Sequence, residues 1–317
     1  MRKTVVIFSL WVLLLTMFAG HVSATDNITY SSEEWSAGGS YNTFIGGGVG
    51  LNNTGSYNTF MGFYAGGANA TGNYNTFVGG ASGLMNTTGS NNTFIGFKTG
   101  SRNTTGNSNA FLGYATGINN SSGAHNTFFG YAAGNKNTTG SYNTYLGNYS
   151  GLANTTGQRN TIMGYTAGQN NAGSGNVFIG YAAGANETGS NKLYIANSNT
   201  STPLIWGDFG TGVVKVNGAI VQTSSQEYKD NIKELKTEDA IQTLQGLHPV
   251  TYTYKTNPGD QQVGFIAEDV PELVATQDRK GMSSMDVVAV LTKVVQEQQR
   301  TIAGLQTELN ELKGKIK

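Results

Sequence analysis

The stretch Asn42-Thr43-Phe44-Ile45-Gly46 is the first copy of a unit that returns eight more times along the chain. The asparagine of the unit stands at positions 42, 58, 75, 92, 109, 126, 143, 160 and 176, so consecutive copies lie 16 or 17 residues apart. A second glycine follows the first by four residues in every copy, and an Asn-Thr-Thr-Gly turn, as at residues 86–89, usually comes next. Nine copies at one period identify a repeat architecture.

A unit of this length has no helical periodicity and is too short for a pair of helices. It suits one coil of a parallel β-solenoid, with two short strands and with glycine corners where φ is positive or where neighbouring backbones come close. The sequence therefore predicts a mainly β protein. Its solenoid of 16–17-residue coils should span residues 41–190, after an N-terminal segment over residues 25–40.

Two neighbouring positions of the unit are apolar in every copy. The third position forms an aromatic-rich series from Phe44 to Phe178, and the fourth runs from Ile45 to Ile179. Neighbouring side chains of a strand point to opposite faces, so one of the two columns must face outward. A line of exposed apolar side chains favours burial against identical chains, and we expect a homotrimer of parallel solenoids, with a dimer as the alternative. A flattened solenoid whose outward column is covered by aromatic side chains from the corners is the other alternative.

The composition of the 317-residue chain excludes several classes of protein. Lys and Arg together number 19, as do Asp and Glu, and this balance removes the electrostatic case for a nucleic acid or an anionic membrane as partner. The absence of cysteine excludes disulfides, a thiolate nucleophile and a zinc–cysteine site. His125 and His248 are the only histidines beyond His21, so we expect no metal and no cofactor.

The first 24 residues are typical of a signal peptide. Arg2 and Lys3 precede an apolar run from Val5 to Phe18, and small residues up to Ala24 suit a signal peptidase. The run is short for a membrane span, and no later stretch is apolar for long enough to be one. We therefore expect a secreted or cell-surface protein that begins at Thr25 and has no membrane insertion after the signal peptide is removed.

The repeat region offers little for catalysis. Glu187 is the only acidic residue between Trp35 and Gly207, whereas cutting a glycan usually needs a pair of carboxylates. Asn-x-Ser/Thr triplets, such as the one at Asn86, resemble glycosylation acceptors, but we interpret them as ladders of stacked asparagines. A column of threonines that begins at Thr43 leaves an ice-binding face as a third alternative.

The composition changes near residue 223. Eleven charged residues lie between residues 25 and 223, whereas 25 lie between residues 224 and 317, which places a domain boundary there. Before the boundary the period breaks, and short strands separated by Asn, Ser, Thr and Gly predict a β-rich collar over residues 191–223 that closes the solenoid.

The C-terminal helix, expected over residues 287–317, has a narrow apolar seam. Its members alternate spacings of three and four residues, as in a coiled coil: Val288, Leu291, Val295, Gln298, Ile302, Leu305, Leu309, Leu312 and Ile316. Such a seam requires helices from other chains, and a helix that lies on its own domain is the alternative. β-Branched residues in the seam favour two strands, whereas Gln298 favours three.

Several features of residues 224–286 occur together in one known family. Lys229 follows Ser224 by five residues, residues 247–254 read Leu-His-Pro-Val-Thr-Tyr-Thr-Tyr, and residues 264–270 read Gly-Phe-Ile-Ala-Glu-Asp-Val. Together with the terminal coiled coil, they resemble the C-terminal intramolecular chaperone domain of phage endosialidase tailspikes and related fibres, a self-cleaving serine peptidase family. The resemblance covers about residue 224 to the end and also favours three chains. The solenoid resembles, more loosely, the head repeats of trimeric autotransporter adhesins.

The resemblance implies a single autoproteolytic cut. In the family a serine attacks the peptide bond just before it, helped by a lysine five residues later, which maps onto Ser224 and Lys229 with the scissile bond between Thr223 and Ser224. Such a pair needs neither His nor Cys, because a desolvated lysine becomes a neutral base. The family usually has aspartate after the serine, so Ser225 is a departure and an alternative nucleophile. The alternative without a catalytic role is that Ser224 is a helix N-cap and that Lys229 is exposed to solvent.

We interpret the segment 264–270 as part of the packed core and not as part of a catalytic site. We expect Phe265, Ile266 and Val270 in the core, whereas Glu268 and Asp269 cap a helix or face solvent. His248, which precedes a proline, is expected to be a structural turn residue.

The sequence as a whole predicts a trimeric fibre for adhesion or use as an appendage, whose C-terminal domain templates trimerisation and is released by autoproteolysis. The alternative is a structural or binding fibre whose trimerisation domain stays attached. Besides its own copies, a glycan or another cell-surface ligand is the expected partner. The signal peptide favours export by a cell over a phage-derived origin.

Overall fold

The computed structural model describes residues 5–6, 28–30, 38–221 and 223–315. Apart from Val5 and Val6, the predicted signal peptide and its cleavage site lie outside the described residues. The chain divides into two compact units, Met1–Ile220 and Val221–Lys317. The strands of the first unit are β1 (Val5–Val6), β2 (Ile28–Tyr30), β3 (Thr43–Ile45), β4 (Thr59–Met61), β5 (Thr76–Val78), β6 (Thr93–Ile95), β7 (Ala110–Leu112), β8 (Thr127–Phe129), β9 (Thr144–Leu146), β10 (Thr161–Met163), β11 (Val177–Ile179), β12 (Lys192–Ile195), β13 (Ile205–Asp208) and β14 (Val213–Val216).

The first unit is a parallel β-solenoid. Each strand from β1 to β11 pairs in parallel with the next one along the chain, so that residues 93–95, for example, lie beside residues 110–112. The predicted coils of 16 or 17 residues are confirmed, but each described coil contains one three-residue strand where two were expected. The remainder of the coil is a series of turns, because backbone positions with positive φ recur in every repeat and cannot continue a strand.

The third position of each repeat forms the core. Phe94 and its equivalents are completely buried, and successive rings stack with centroids 4.6–5.1 Å apart from Phe44 to Tyr145. The fourth position points outward, and six of its members are 37–52% exposed: Ile45, Met61, Ile95, Phe129, Met163 and Ile179. One apolar column therefore faces outward, as predicted, and the corner aromatics leave it open to solvent in the single chain.

The asparagine of each repeat joins neighbouring coils. Asn92 Nδ2 donates to the carbonyl of Gly106, and Asn92 Oδ1 accepts from the backbone N–H of Asn109. The same two bonds, each 2.8–3.0 Å long, recur from Asn42 to Asn176. These side chains are buried, and their bonds to the backbone satisfy groups for which no strand partner exists.

The two glycines of each repeat have different roles. Gly96 has a φ of +131°, and a Cβ at this position would collide with the carbonyl oxygen of Gly113 in the next coil. Gly100 has a φ of +56°, and a Cβ there would lie 2.6 Å from the ring of Phe94. The first glycine thus permits close stacking of backbones, and the second leaves room for the core aromatic ring.

The solenoid ends in an antiparallel extension. Tyr194 in β12 still lies beside Phe178, after which β13 and β14 reverse direction. Trp206 lies beside Tyr194 and packs on the aromatic core, and the Lys215 Nζ atom is 5.1 Å from the centre of the Trp206 ring. This extension covers the end of the aromatic column, so the last parallel strand is not an open edge.

The second unit combines helices α1 (Thr237–Gln245) and α2 (Ser284–Lys315) with a hairpin of β15 (Val250–Tyr254) and β16 (Asn257–Gly264). Its core consists of Ala240, Leu247, Val270, Val274, Val290 and Val294. Lys293 on α2 binds Glu234 at 2.6 Å, and this hydrogen bond lowers the pKa of the Glu234 carboxyl. Among the helices that the structure describes, none has the length and apolar character needed to cross a membrane.

Candidate self-cleavage site

A single turn of 3₁₀-helix, Gln226–Tyr228, shapes the chain near the start of the second unit. The Ser225 hydroxyl accepts a hydrogen bond from the Glu227 N–H at 3.3 Å, which makes Ser225 the N-cap of the turn. Two backbone bonds complete the turn: the Tyr228 N–H donates to the Ser225 carbonyl at 3.2 Å, and the Lys229 N–H donates to the Gln226 carbonyl at 3.1 Å. The chain therefore folds back on itself over these residues.

This fold-back brings the two predicted catalytic residues together. Lys229 Nζ donates a hydrogen bond to Ser224 Oγ at 2.5 Å. Both side chains are exposed, as is Thr223, whose carbonyl belongs to the predicted scissile bond. The peptide bond between Thr223 and Ser224 thus adjoins a serine hydroxyl that contacts a lysine amine.

A serine and a lysine within hydrogen-bond distance can act as a nucleophile and its base. The amine accepts the hydroxyl proton only when it is neutral, and burial favours the neutral form of a lysine. In the single chain, however, both side chains of this pair face solvent. A cleavage-competent site therefore needs a further element that covers the pair and excludes water.

The alternative in which Ser224 caps a helix does not match the geometry. Ser225 is the residue whose hydroxyl caps the turn, and Lys229 contacts Ser224. Sequence spacing alone did not distinguish the two neighbouring serines, because both precede the turn and both are good N-cap residues. Their different partners become visible only in the three-dimensional structure.

The segment 264–270 packs largely as expected. Val270 is buried and Phe265 packs against the core, whereas Glu268 and Asp269 are exposed. The expectation that Ile266 lies in the core is wrong, since its side chain is 39% exposed. The strand β16 ends at Gly264, the first residue of this segment, and in the turns that follow, consecutive apolar residues no longer share one core-facing side.

Helix α2 presents two apolar stripes. The predicted seam is 40–59% exposed at Val288, Leu291, Val295, Ile302, Leu305, Leu309 and Leu312, whereas Ile316 lies outside the described residues. A second stripe of Val287, Val290 and Val294 packs on the core of its own unit. Sequence analysis missed this stripe, although its spacings of three and four residues were a usable signal. The beginning of α2 thus lies on its own unit while the seam stays open for other helices.

The asparagines of the Asn-Thr-Thr-Gly turns form a second ladder inside the solenoid. From Asn69 to Asn137, each Nδ2 donates to the asparagine Oδ1 of the preceding coil at 2.5–2.8 Å. Asn86, the example of a possible glycosylation acceptor, is completely buried. For the asparagines of these turns the interpretation as stacked asparagines is confirmed, because a buried amide is not accessible to a glycosylating enzyme.

One comparison with known proteins finds a match, and it covers the part of the chain that begins with Ser224 and contains Lys229. Residues 224–277 match the family model described as "Chaperone of endosialidase". Neither the comparison with curated proteins nor the comparison with solved structures finds a match. In the part of the chain that the structure describes, no group of three or more His, Asp and Glu side chains could hold a metal ion. A segment similar to the intramolecular chaperones of endosialidases, preceded by a β-solenoid of about nine turns, is therefore the architecture of this chain, as the resemblance implied.

Proposed function

We propose that this protein is a secreted or surface-displayed trimeric fibre whose C-terminal domain templates trimerisation and is then released by one self-cleavage between Thr223 and Ser224. The contact between Lys229 Nζ and Ser224 Oγ carries the proposal. It lies at the first residues of the segment that matches the chaperone family. The proposed reaction is a single turnover within the chain, and no separate substrate is involved.

Exposed apolar surface in both units supports the trimer. The solenoid exposes the column from Ile45 to Ile179, and α2 exposes the seam from Val288 to Leu312. A heptad seam is stable when the helices of other chains cover it, and a long apolar column on a solenoid favours the same solution. The family resemblance favours three chains over two.

In the proposed trimer, the three copies of α2 can associate before the solenoids do. Helix contacts are local and form quickly, whereas parallel β-structure requires contacts between residues far apart in sequence. A coiled coil that assembles first raises the effective concentration of the three solenoids and aligns them. Alignment is essential because a slip of one residue would exchange the inward and outward faces of every strand.

The proposed cleavage consumes one molecule of water. Ser224 Oγ attacks the carbonyl carbon of Thr223 while Lys229 Nζ takes the hydroxyl proton. The amide nitrogen of Ser224 leaves with that proton, and an ester then joins the Thr223 carbonyl carbon to Ser224 Oγ. Water hydrolyses this ester, which leaves a carboxylate on Thr223 and restores the hydroxyl of Ser224, now with a free amino group.

Release of the C-terminal domain would make assembly irreversible. After the cut, the solenoids remain associated without the helices that aligned them. Unfolded chains could not regain their register at a useful rate, so the fibre would be held by a kinetic barrier.

The decisive experiment compares the full chain with Ser224→Ala, Lys229→Met and Lys233→Met by intact mass under denaturing conditions. Lys233 is an exposed lysine near the site and serves as the control. We expect the natural chain and Lys233→Met to yield a fragment of about 10 kDa that starts at Ser224 (94 of the 317 residues of a 33.4-kDa chain). Ser224→Ala and Lys229→Met should remain whole. A natural chain that forms trimers and also remains whole would instead support the fibre whose trimerisation domain stays attached.

Export and ligand binding are further parts of the proposal. The apolar run after Arg2 and Lys3 supports export, and removal of residues 1–24 should retain the protein inside the producing cell. The outer surface of an adhesive fibre would bind a glycan or another cell-surface molecule. An array of purified glycans tests this by comparing the natural chain with the Ser224→Ala chain.

A trimer also accounts for the threonine column without an ice-binding role. Thr93 and its equivalents lie on the same outer face as the apolar fourth position, because alternate residues of a strand share a face. Ala110 and Val177 interrupt this column. Burial of the face between chains would remove it from contact with ice.

A further inference from the structure

We infer that Ser225 is a positioning residue for self-cleavage: as the N-cap of the turn 226–228, its hydroxyl holds Lys229 in place against Ser224. The inference rests on the proposed self-cleavage and assigns the second serine of the pair a role other than that of a nucleophile. It is carried by the hydrogen bonds of residues 224–229.

The turn is held by local bonds. All residues from 224 to 229 are exposed, so apolar packing contributes little to their conformation. The described bonds within the turn are the cap from Ser225 and two backbone bonds, with O–N distances of 3.1–3.3 Å. Lys229 is the C-cap of the same turn, and its side chain returns to Ser224. Loss of the cap therefore loosens the element that brings the lysine to the serine.

The two neighbouring hydroxyls have separate partners. Ser225 Oγ accepts from the Glu227 N–H, whereas Ser224 Oγ accepts from Lys229 Nζ. Ser225 has an extended backbone, with φ −64° and ψ 144°, and neighbouring side chains on extended backbone point in different directions. Ser225 could replace Ser224 as the nucleophile only by giving up the cap that places the base.

The test measures the rate of cleavage in the assembled fraction of full-length chains after dilution from denaturant. The variants are Ser225→Ala, which removes the cap, and Ser225→Asn, which supplies another side-chain oxygen of equal capping strength. Ser283→Ala is the matched control, because the Ser283 hydroxyl accepts from the Asp286 N–H at 3.1 Å at the start of α2, away from the turn in sequence. Gel filtration in parallel reports assembly.

We expect Ser225→Ala to assemble normally and to cleave about fivefold more slowly, the usual effect of one lost cap. Its fragment should still begin at Ser224. Ser225→Asn should restore the natural rate, and Ser283→Ala should leave it unchanged. The pH at which the rate is half its maximum should be the same in all of these chains, because a positioning residue changes geometry and not the identity of the base.

Three results would overturn the inference while the natural chain still cleaves: an unchanged rate in Ser225→Ala, no rescue by Ser225→Asn, or cleavage before residue 225 in Ser224→Ala. A natural chain that remains whole overturns the proposed function and this inference together, which distinguishes the two kinds of failure. In that case, the amide resonance of Glu227 in Ser224→Ala, with and without Ser225→Ala, still shows by NMR whether Ser225 caps the turn as a purely structural residue.

Discussion

Tyr145 is the one tyrosine among the third positions of the nine repeats, which consist mainly of phenylalanine. Its hydroxyl is buried close to the side chain of Asn160, but within the described residues it makes no hydrogen bond of normal geometry. Burial among stacked rings raises the pKa of Tyr145, because a phenolate would lose its hydration there. The hydroxyl therefore costs free energy in the folded coil.

Replacement of Tyr145 by Phe should raise the free energy of unfolding by about 1–2 kcal/mol, because it removes a buried polar group that lacks a partner. Tyr142→Phe is the control: this ring is 56% exposed and stacks on His125, so the change should stay within about 0.5 kcal/mol. Denaturant unfolding of the Ser224→Ala chain measures both. A less stable Tyr145→Phe chain would mean that the hydroxyl is well bonded.

The buried Tyr145 hydroxyl should also make the free energy of unfolding depend on pH. The ordinary pKa of tyrosine is 10.0, and that of buried Tyr145 is higher, so the unfolded chain releases this proton first as the pH rises. The stabilising contribution of the neutral, buried state is thus complete below about pH 10 and is lost above it. Above about pH 10 the natural chain should therefore lose stability more steeply with rising pH than Tyr145→Phe. Parallel slopes would contradict the raised pKa.

At the scale of the element, each three-residue strand divides its side chains between two environments. The middle residue enters the core of its own coil, and the two flanking residues face outward. Asparagine and glycine complete the coil by bonds and close contacts to the next coil. Within one strand, the middle residue therefore stabilises the coil itself, whereas its two neighbours lie on the surface that other chains can contact.

Two variants separate the stability of the coil from the association of chains: Phe94→Ala, and a double change of Ile95 and Phe129 to Ser. Phe94→Ala leaves a cavity in the buried stack and should cost about 3–5 kcal/mol of coil stability. The outward pair is 37% and 52% exposed, so its replacement should preserve the β-sheet signal in circular dichroism while it weakens the trimer in analytical ultracentrifugation. Thr93→Ser on the same outer face is the control. Full trimer affinity in the double variant would show that the outward column is not the interface.

At the scale of the whole molecule, the solenoid and the C-terminal unit have separate cores. The cores consist of stacked aromatic rings in one unit and of mainly aliphatic side chains from α1, α2 and the connecting segments in the other. Each unit also exposes apolar residues in a regular line. If the α2 helices align the solenoids, substitutions in the α2 seam should impair assembly of the solenoids, although the seam lies in the other unit.

Leu305→Asp combined with Leu309→Asp tests this dependence. The two leucines are 59% and 50% exposed, so the second unit should still fold, while like charges at the seam prevent the helices from associating. We expect monomers by light scattering, loss of the cleavage fragment, and slow or incomplete formation of solenoid trimers. Glu308→Gln, on the same turn of the helix but outside the seam, should leave assembly intact. Trimers of normal yield in the Asp variant would show that the solenoids align without the coiled coil.

Repetition made much of the fold predictable from sequence. Equivalent residues of a repeat occupy equivalent environments, so the period indicated parallel coils, asparagine ladders and one outward apolar column. The same argument could not give the number of strands per coil, because residues such as Tyr57 and Ala81 adopt positive φ only under the constraint of stacked neighbours. For Ile266 no repeat was available, and its exposure depends on where β16 ends.

The sequence by itself determined the solenoid, the seam of α2 and the Ser224–Lys229 spacing, because each is a pattern along the chain. Only the tertiary structure decided that the third position of the repeat faces inward and the fourth outward, since strand alternation separates two columns without saying which one is enclosed. It also decided that Ser225 caps the turn while Ser224 contacts Lys229. The directions of two adjacent hydroxyls depend on local backbone angles and on the donors that these angles bring near, and residue spacing does not contain that information.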